Sequence, residues 1–262
     1  MVRAPQAICV QQVRVLMFSN GENSLLVGLV DRIRDYGNNR PRSLQTAVGC
    51  SAIGTNCDRR LGYQLLGVKS NRRSRSSWAA NIGTAVHTYL ENVFSGDDNY
   101  LTEQAVSISY KNLTIPGTAD LYVKDAAAVI DFKLVGETTL KAAKAGKLSR
   151  QYAVQVQLYG LGLQQAGHKV TTVGVLFLPR NRELTDAHLV TMPFDPRVAS
   201  MALDRFKLIS DTVQRSGVDA LDMLDIEDAP CVWCDWFDPT STELAKGCPG
   251  KPLTPTINNL IV

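Results

Sequence analysis

Two carboxylates and an ammonium fall close together in the stretch 117–133: Asp120, Asp131 and Lys133. The stretch reads as a β-hairpin, with strands over 115–123 and 128–135. Side chains alternate faces along a strand, so Asp131 and Lys133 share one side while Phe132 points the other way, toward a core. Carboxylate oxygens suit a hard divalent cation, and Mg²⁺ is held by one or two of them, with water and substrate phosphate completing its shell. Asp120 and Asp131 together meet that demand. Lys133, two residues beyond, would position or deprotonate an attacking water and offset charge on phosphate oxygens. This is the chemistry of a metal-dependent phosphodiesterase. The same alternation also fits a solvated strand face whose ion pair contributes little, and short motifs match by chance.

Two flanking segments carry further groups. Gly83, His87 and Glu91 recur at i,i+4 spacing in a stretch that reads as a helix, and so share a face. A neutral imidazole adds a nitrogen ligand to a metal site, and Gly83 would permit close backbone approach at the helix start. Downstream, Gln155 and Tyr159 also share a helical face and offer polar tips for a phosphate or a water. Each group has a plainer use: a satisfied or exposed histidine for His87, an ordinary helix surface for the other two.

Taken in order, G-x3-H-x3-E, G-x2-D, D-x-K and Q-x3-Y span 83–159 and resemble the RecB-like branch of the PD-(D/E)XK nuclease superfamily, which includes CRISPR-associated and helicase-associated exonucleases. The resemblance implies that His87, Asp120 and Asp131 bind Mg²⁺ or Mn²⁺ and that Lys133 is the catalytic lysine. Gln155 and Tyr159 would belong to the last motif, holding DNA or orienting Lys133. The implied fold is a restriction-endonuclease-like α/β core, a mixed sheet flanked by helices. Ala119 stands where the superfamily's first acidic motif has proline, a departure common in this branch.

Six cysteines form a second constellation: Cys9, Cys50, Cys57, Cys231, Cys234 and Cys248. The C-x2-C pair Cys231/Cys234 puts two thiolates within reach of one metal, and Cys248 followed by Pro249 matches iron–sulfur ligation patterns. Members of the resembled branch often hold a [4Fe-4S] cluster with one cysteine before the nuclease core and three after it. On that resemblance Cys57 is the upstream ligand, joined by Cys231, Cys234 and Cys248, and the cluster would staple the chain ends to the core. The gap from Cys234 to Cys248 is wider than the family's usual spacing, and Cys50 rivals Cys57 and Cys248 as a ligand. Zn²⁺ in a four-cysteine site is the competing chemistry. A disulfide framework fits less well, because no signal peptide or transmembrane run is visible and the thiols are expected in a reducing cytoplasm.

The chain of 262 residues has room for one sizeable core. Expected domains are an N-terminal helical extension over 1–40, a nuclease core over 41–220 and a C-terminal cysteine region over 221–262. The first sixteen residues carry no readable pattern, and Met17 offers an alternative start. Periodicity and breakers predict helices over 22–36, in pieces over 44–66, around His87, around Gln155 as far as Gly167, and over 196–216. They predict strands over 101–110, 115–123, 128–135, 170–178 and 188–194.

A net charge of +3 does not announce a nucleic-acid partner. Local clusters say more: Lys69, Arg72, Arg73 and Arg75 precede the His87 helix, and Lys141, Lys144, Lys147 and Arg150 precede Gln155. They would track a phosphate backbone or form a solvated surface. Trp78, Tyr89 and Tyr110 could stack unpaired bases, but core packing is the expected use of most of them, and none is assigned a role. The reading is a Mg²⁺- or Mn²⁺-dependent exonuclease acting on single-stranded DNA or strand ends, in repair, recombination, phage DNA metabolism or CRISPR adaptation. Its rival is a noncatalytic DNA-binding recombination accessory protein with a structural iron–sulfur or zinc site. No P-loop is present, so any helicase would be a separate partner.

Overall fold

The computed structural model describes residues 20–38, 48–70, 78–226 and 231–251. They fall into two units, with helix α1 (Asn20–Asn38) in one and everything from Val48 onward in the other. Cys9, Arg72, Arg73 and Arg75 lie outside the described residues.

The second unit is built on a mixed five-stranded sheet. Its strands β1 (Tyr100–Tyr110), β2 (Leu113–Val123), β3 (Ala128–Val135), β4 (Thr172–Pro179) and β5 (His188–Pro193) lie side by side in chain order. β1, β2 and β3 form an antiparallel meander, and β4 and β5 pair antiparallel. β3 and β4 run parallel, which requires a crossover. Helices α5 (Glu137–Lys144) and α6 (Arg150–Gln165) supply it. The sequences of β3 and β4 are nearly continuous apolar runs, as central strands covered on both faces demand.

β3 alternates as the sequence predicts. Val129 joins a large core shared with Val154 and Leu158 of α6 and with Leu203 and Phe206 of α7 (Pro196–Ser216). Ala128, Ile130 and Phe132 face a smaller cluster closed by Leu90 and Phe94 of α4 (Trp78–Phe94). The sheet is thus flanked by helices, the expected α/β arrangement. Gly162 sets how closely α6 lies on β1, since a Cβ there would stand 2.7 Å from Val106 Cβ.

Two short helices, α2 (Cys50–Ile53) and α3 (Asp58–Leu65), are the pieces predicted over 44–66. Helix α5 was not anticipated; its first turn carries Glu137 and its last Lys141 and Lys144, an order that suits the helix dipole. Three expectations need correction. α4 begins at Trp78, so Gly83 lies inside it, and nothing comes within 4 Å of where its Cβ would be. Glu91 is exposed rather than turned inward with His87. Trp78 and Tyr89 are exposed, not core residues, because α4 rests on the sheet through its other face.

Candidate active site

The β2–β3 ladder runs from Val123↔Ala128 to Leu121↔Ile130 and stops there. Asp120 and Asp131 are the next two residues, facing each other where the strands part. Separation frees backbone groups that a ladder would have used, and buried donors must then find other acceptors. The Phe132 N–H donates to Asp120 Oδ2 at 2.7 Å. Both carboxylates are deeply buried, Asp120 at 5% and Asp131 at 1% exposure.

Three elements bring partners to this fork. From β3 itself, Lys133 Nζ approaches Asp131 Oδ2 at 2.6 Å, a close ion pair that is off line for a hydrogen bond. From α6, Gln155 Nε2 donates to Asp131 Oδ1 at 2.8 Å and to the Tyr159 hydroxyl at 2.9 Å. Gln155 and Tyr159 are both buried, Gln155 holding the carboxylate that pairs with Lys133 and Tyr159 holding Gln155. From α4, His87 Nδ1 lies 3.4 Å from Asp120 Oδ1, and the Phe132 ring meets the imidazole edge-on at 6.2 Å.

Glu103 completes the group and was missed in the sequence. The β1–β2 register pairs Thr102 with Leu121 and Gln104 with Ala119, leaving Glu103 opposite Asp120 but out of the ladder. Its φ is +45°, a left-handed conformation that a non-glycine residue adopts at a cost of about 1–3 kcal/mol. Its Oε1 lies 3.7 Å from His87 Nδ1. One signal could have found it: a two-residue turn at Lys111 and Asn112, where Lys111 has φ +52°, fixes the register that sets Glu103 against Asp120.

Ligand atoms of His87, Glu103 and Asp120 all lie within 4.8 Å of one another. His87 Nδ1 is buried and has no hydrogen-bond partner among the described residues. Two anionic oxygens converging on an orphaned imidazole nitrogen are a donor set suited to a hard or borderline divalent ion. Without a cation, a proton fills the role: contact with Asp120, then with Glu103, raises the His87 pKa to about 9 against the opposing effect of burial. Burial, reinforced by the Asp120 charge and opposed by Lys133, raises that of Asp131 to about 6.

The cysteines gather elsewhere. Cys57, Cys231, Cys234 and Cys248 line one cavity of about 280 Å³, together with Arg60, Arg150 and Trp233. The segment 231–251 is fastened there by ordinary contacts. The Tyr63 ring of α3 stacks on Trp236 at 5.5 Å, Tyr63 donates to the Leu244 carbonyl at 2.7 Å, and Trp236 Nε1 donates to the Val68 carbonyl at 2.8 Å. Cys50 is not at the cavity. It sits in the core at 1% exposure with its thiol directed at the Pro116 carbonyl, and burial pushes its pKa up to about 12. None of the five described cysteines is in a disulfide.

The basic clusters are only partly available. Lys141 pairs with Glu137 at 2.9 Å and Lys144 with Asp186 at 3.1 Å. Arg150 donates to Asn56 Oδ1 at 3.3 Å.

No protein-family model matches the sequence, and no curated protein is significantly similar to it. Solved structures similar to the chain include a protein designated SSO0001, at 16% identity over 80% of this chain and 92% of that one, with a TM-score of 0.47. The alkaline exonuclease of Laribacter hongkongensis is 12% identical over 65% of this chain and 89% of its own, at a TM-score of 0.42. A phage-related exonuclease from Haemophilus somnus is 16% identical over 63% and 92%, also at 0.42. Among the described residues no helix is long and apolar enough to cross a membrane.

Proposed function

We propose that the chain is a metal-dependent deoxyribonuclease of restriction-endonuclease-like fold, cleaving phosphodiester bonds in single-stranded DNA or at DNA ends. The observation that carries this reading is the strand fork itself. Two buried carboxylates face each other there, one paired with Lys133 and the other beside the orphaned nitrogen of His87. His87, Glu103, Asp120 and, across the fork, Asp131 would hold Mg²⁺ or Mn²⁺. When bound, such an ion polarises the phosphodiester and lowers the pKa of a water to make a nucleophile.

The chain's own groups do the rest. Gln155, braced by Tyr159, fixes one oxygen of Asp131 and leaves the other to Lys133. The ammonium of Lys133 donates to a phosphate oxygen or to the attacking water. Burial strips competing water from these charges and strengthens each contact. Phe132, at the position between Asp131 and Lys133, packs with Leu90 and Phe94 of α4 on the other face of the strand.

At the thiol cavity the reading is a four-cysteine metal group, an iron–sulfur cluster with Zn²⁺ as the competing chemistry. Cys57, Cys231, Cys234 and Cys248 all line one cavity. Either group would tie 231–251 to α3.

The test is degradation of end-labelled single-stranded DNA by anaerobically purified protein, with and without Mn²⁺, beside Asp131→Ala. Metal-dependent cleavage lost in the variant is the expected result. DNA that both proteins bind and neither cuts would overturn the reading in favour of a noncatalytic accessory protein.

A further inference from the structure

Resting on the phosphodiesterase reading above, we propose that Tyr152 is the positioning residue for Lys133. The Lys133 nitrogen lies 5.2 Å from the centroid of the Tyr152 ring, within the range over which a ring's quadrupole holds a cation. Asp131 Oδ2 holds the same nitrogen at 2.6 Å. The two partners are not equivalent. Asp131 is also a prospective ligand, and an oxygen shared with a divalent cation attracts the ammonium less. The ring keeps its hold, carries no charge and occupies no conventional acceptor position around the nitrogen. Lys133 can then stay in place with N–H donors turned toward a phosphate oxygen or a water.

The ring itself is held from two sides. Phe177 is the register partner of Lys133 across the parallel β3–β4 ladder, and its ring lies 6.1 Å from that of Tyr152. Ser149 caps α6 by accepting from the Tyr152 N–H at 3.2 Å. One residue earlier, the Gln151 side chain donates to the Ser51 carbonyl at 2.9 Å. Gly54 lets the loop before α3 close on the same turn, for a Cβ there would stand 2.6 Å from the Gln151 carbonyl oxygen. The first turn of α6, and with it the ring, is therefore located by contacts outside the fork.

The rival is that Tyr152 only fills space at the edge of the main core, against which it packs. Variants Tyr152→Phe, Tyr152→Leu and Tyr152→Met separate the two, with Leu and Met both retaining bulk. Each is assayed for kcat and KM on single-stranded DNA with Mn²⁺. Each is also labelled with ¹³Cε-lysine to follow the Lys133 ε-methylene by NMR. Positioning predicts that Phe stays within about twofold of wild type, while Leu and Met lower kcat roughly threefold to thirtyfold with KM little changed. It predicts a ring-current displacement of the Lys133 resonance in wild type and Phe that vanishes in Leu and Met. A Phe variant as impaired as Leu, or a resonance indifferent to the ring, would overturn the proposal. Absence of cleavage by the wild-type protein would remove the phosphodiesterase reading, and the resonance alone would then decide whether the ring holds Lys133.

Discussion

At Asp131 and at His87 burial and a neighbouring opposite charge pull in opposite directions. Burial and the neighbouring Asp120 charge favour a proton on Asp131, raising its pKa to about 6, while Lys133 favours the anion. At His87 the two carboxylates outweigh burial and raise the pKa to about 9 from its ordinary 6.5. Raised folded-state values mean that the native protein binds more protons than the unfolded chain, so metal-free stability falls as pH rises. The His87 contribution is full below about 6.5 and lost as pH passes about 9. Urea unfolding of metal-free protein is therefore expected to weaken between those values, and His87→Gln to flatten the slope; an unchanged slope would contradict the assignment. A ligating imidazole must be neutral, so Mn²⁺ uptake at pH 7 should release a proton to an indicator dye. Glu103 presents a different trade. Its left-handed φ costs free energy that a glycine would not pay, yet its carboxylate faces His87. Glu103→Gly is expected to leave metal-free stability within about 1 kcal/mol of wild type or raise it, while titration calorimetry shows Mn²⁺ binding weakened tenfold or more. Lost stability with unchanged Mn²⁺ affinity would make Glu103 a structural residue. His87, Asp120, Asp131 and Lys133 were legible because residue type and spacing carried them; Glu103 was not, because its partner is set by hairpin register.

The elements that present these residues depend on close contacts more than on helix or strand propensity. α6 lies against β1 at Gly162, where a Cβ would meet Val106 at 2.7 Å. Gly162→Ala is expected to push the helix off the sheet and cost about 1–3 kcal/mol. Val106→Gly, which removes the Cβ that alanine would keep, should return part of that loss in the double variant, as differential scanning calorimetry would register; strict additivity would mean that the two side chains do not collide. Because α6 carries Gln155, such a shift also loosens Asp131. The strands and α7 were readable from periodicity and breakers; the structure adds a cap to α7, where Asp195 accepts from the Arg197 N–H at 2.9 Å, with Pro196 at the first position. α5 escaped notice because eight residues with two buried side chains, Leu140 and Ala143, leave too little apolar period to detect. The exposure of Trp78 and Tyr89 was misjudged for a related reason. Apolar content alone does not say which face of a helix the sheet will cover.

Across the whole molecule, the thiol cavity joins chain segments more than 170 residues apart. Stacking of Tyr63 on Trp236 and the two hydrogen bonds beside it bring 231–251 to α3, and a bound cluster would lock that closure. Metal analysis of anaerobically prepared protein should find iron and sulfide lost in Cys57→Ala and Cys234→Ala, with a lower thermal midpoint. Cys50→Ala should keep both, because Cys50 is packed in the core away from the cavity; zinc in place of iron would reverse the assignment of the bound group. By itself the sequence determined the classes of chemistry, the order of the motifs and the alternation that puts Asp131 and Lys133 on one face, since these follow from residue type and from periods of two and 3.6. Only the tertiary structure decided that the β2–β3 ladder ends at the two aspartates, that Gln155 grips Asp131, that Glu103 joins His87 and that Cys57, not Cys50, lines the cavity. Each of those facts is a meeting of residues distant in the chain. Where strands separate and how closely helices settle is set by packing of the whole core, which no local spacing encodes.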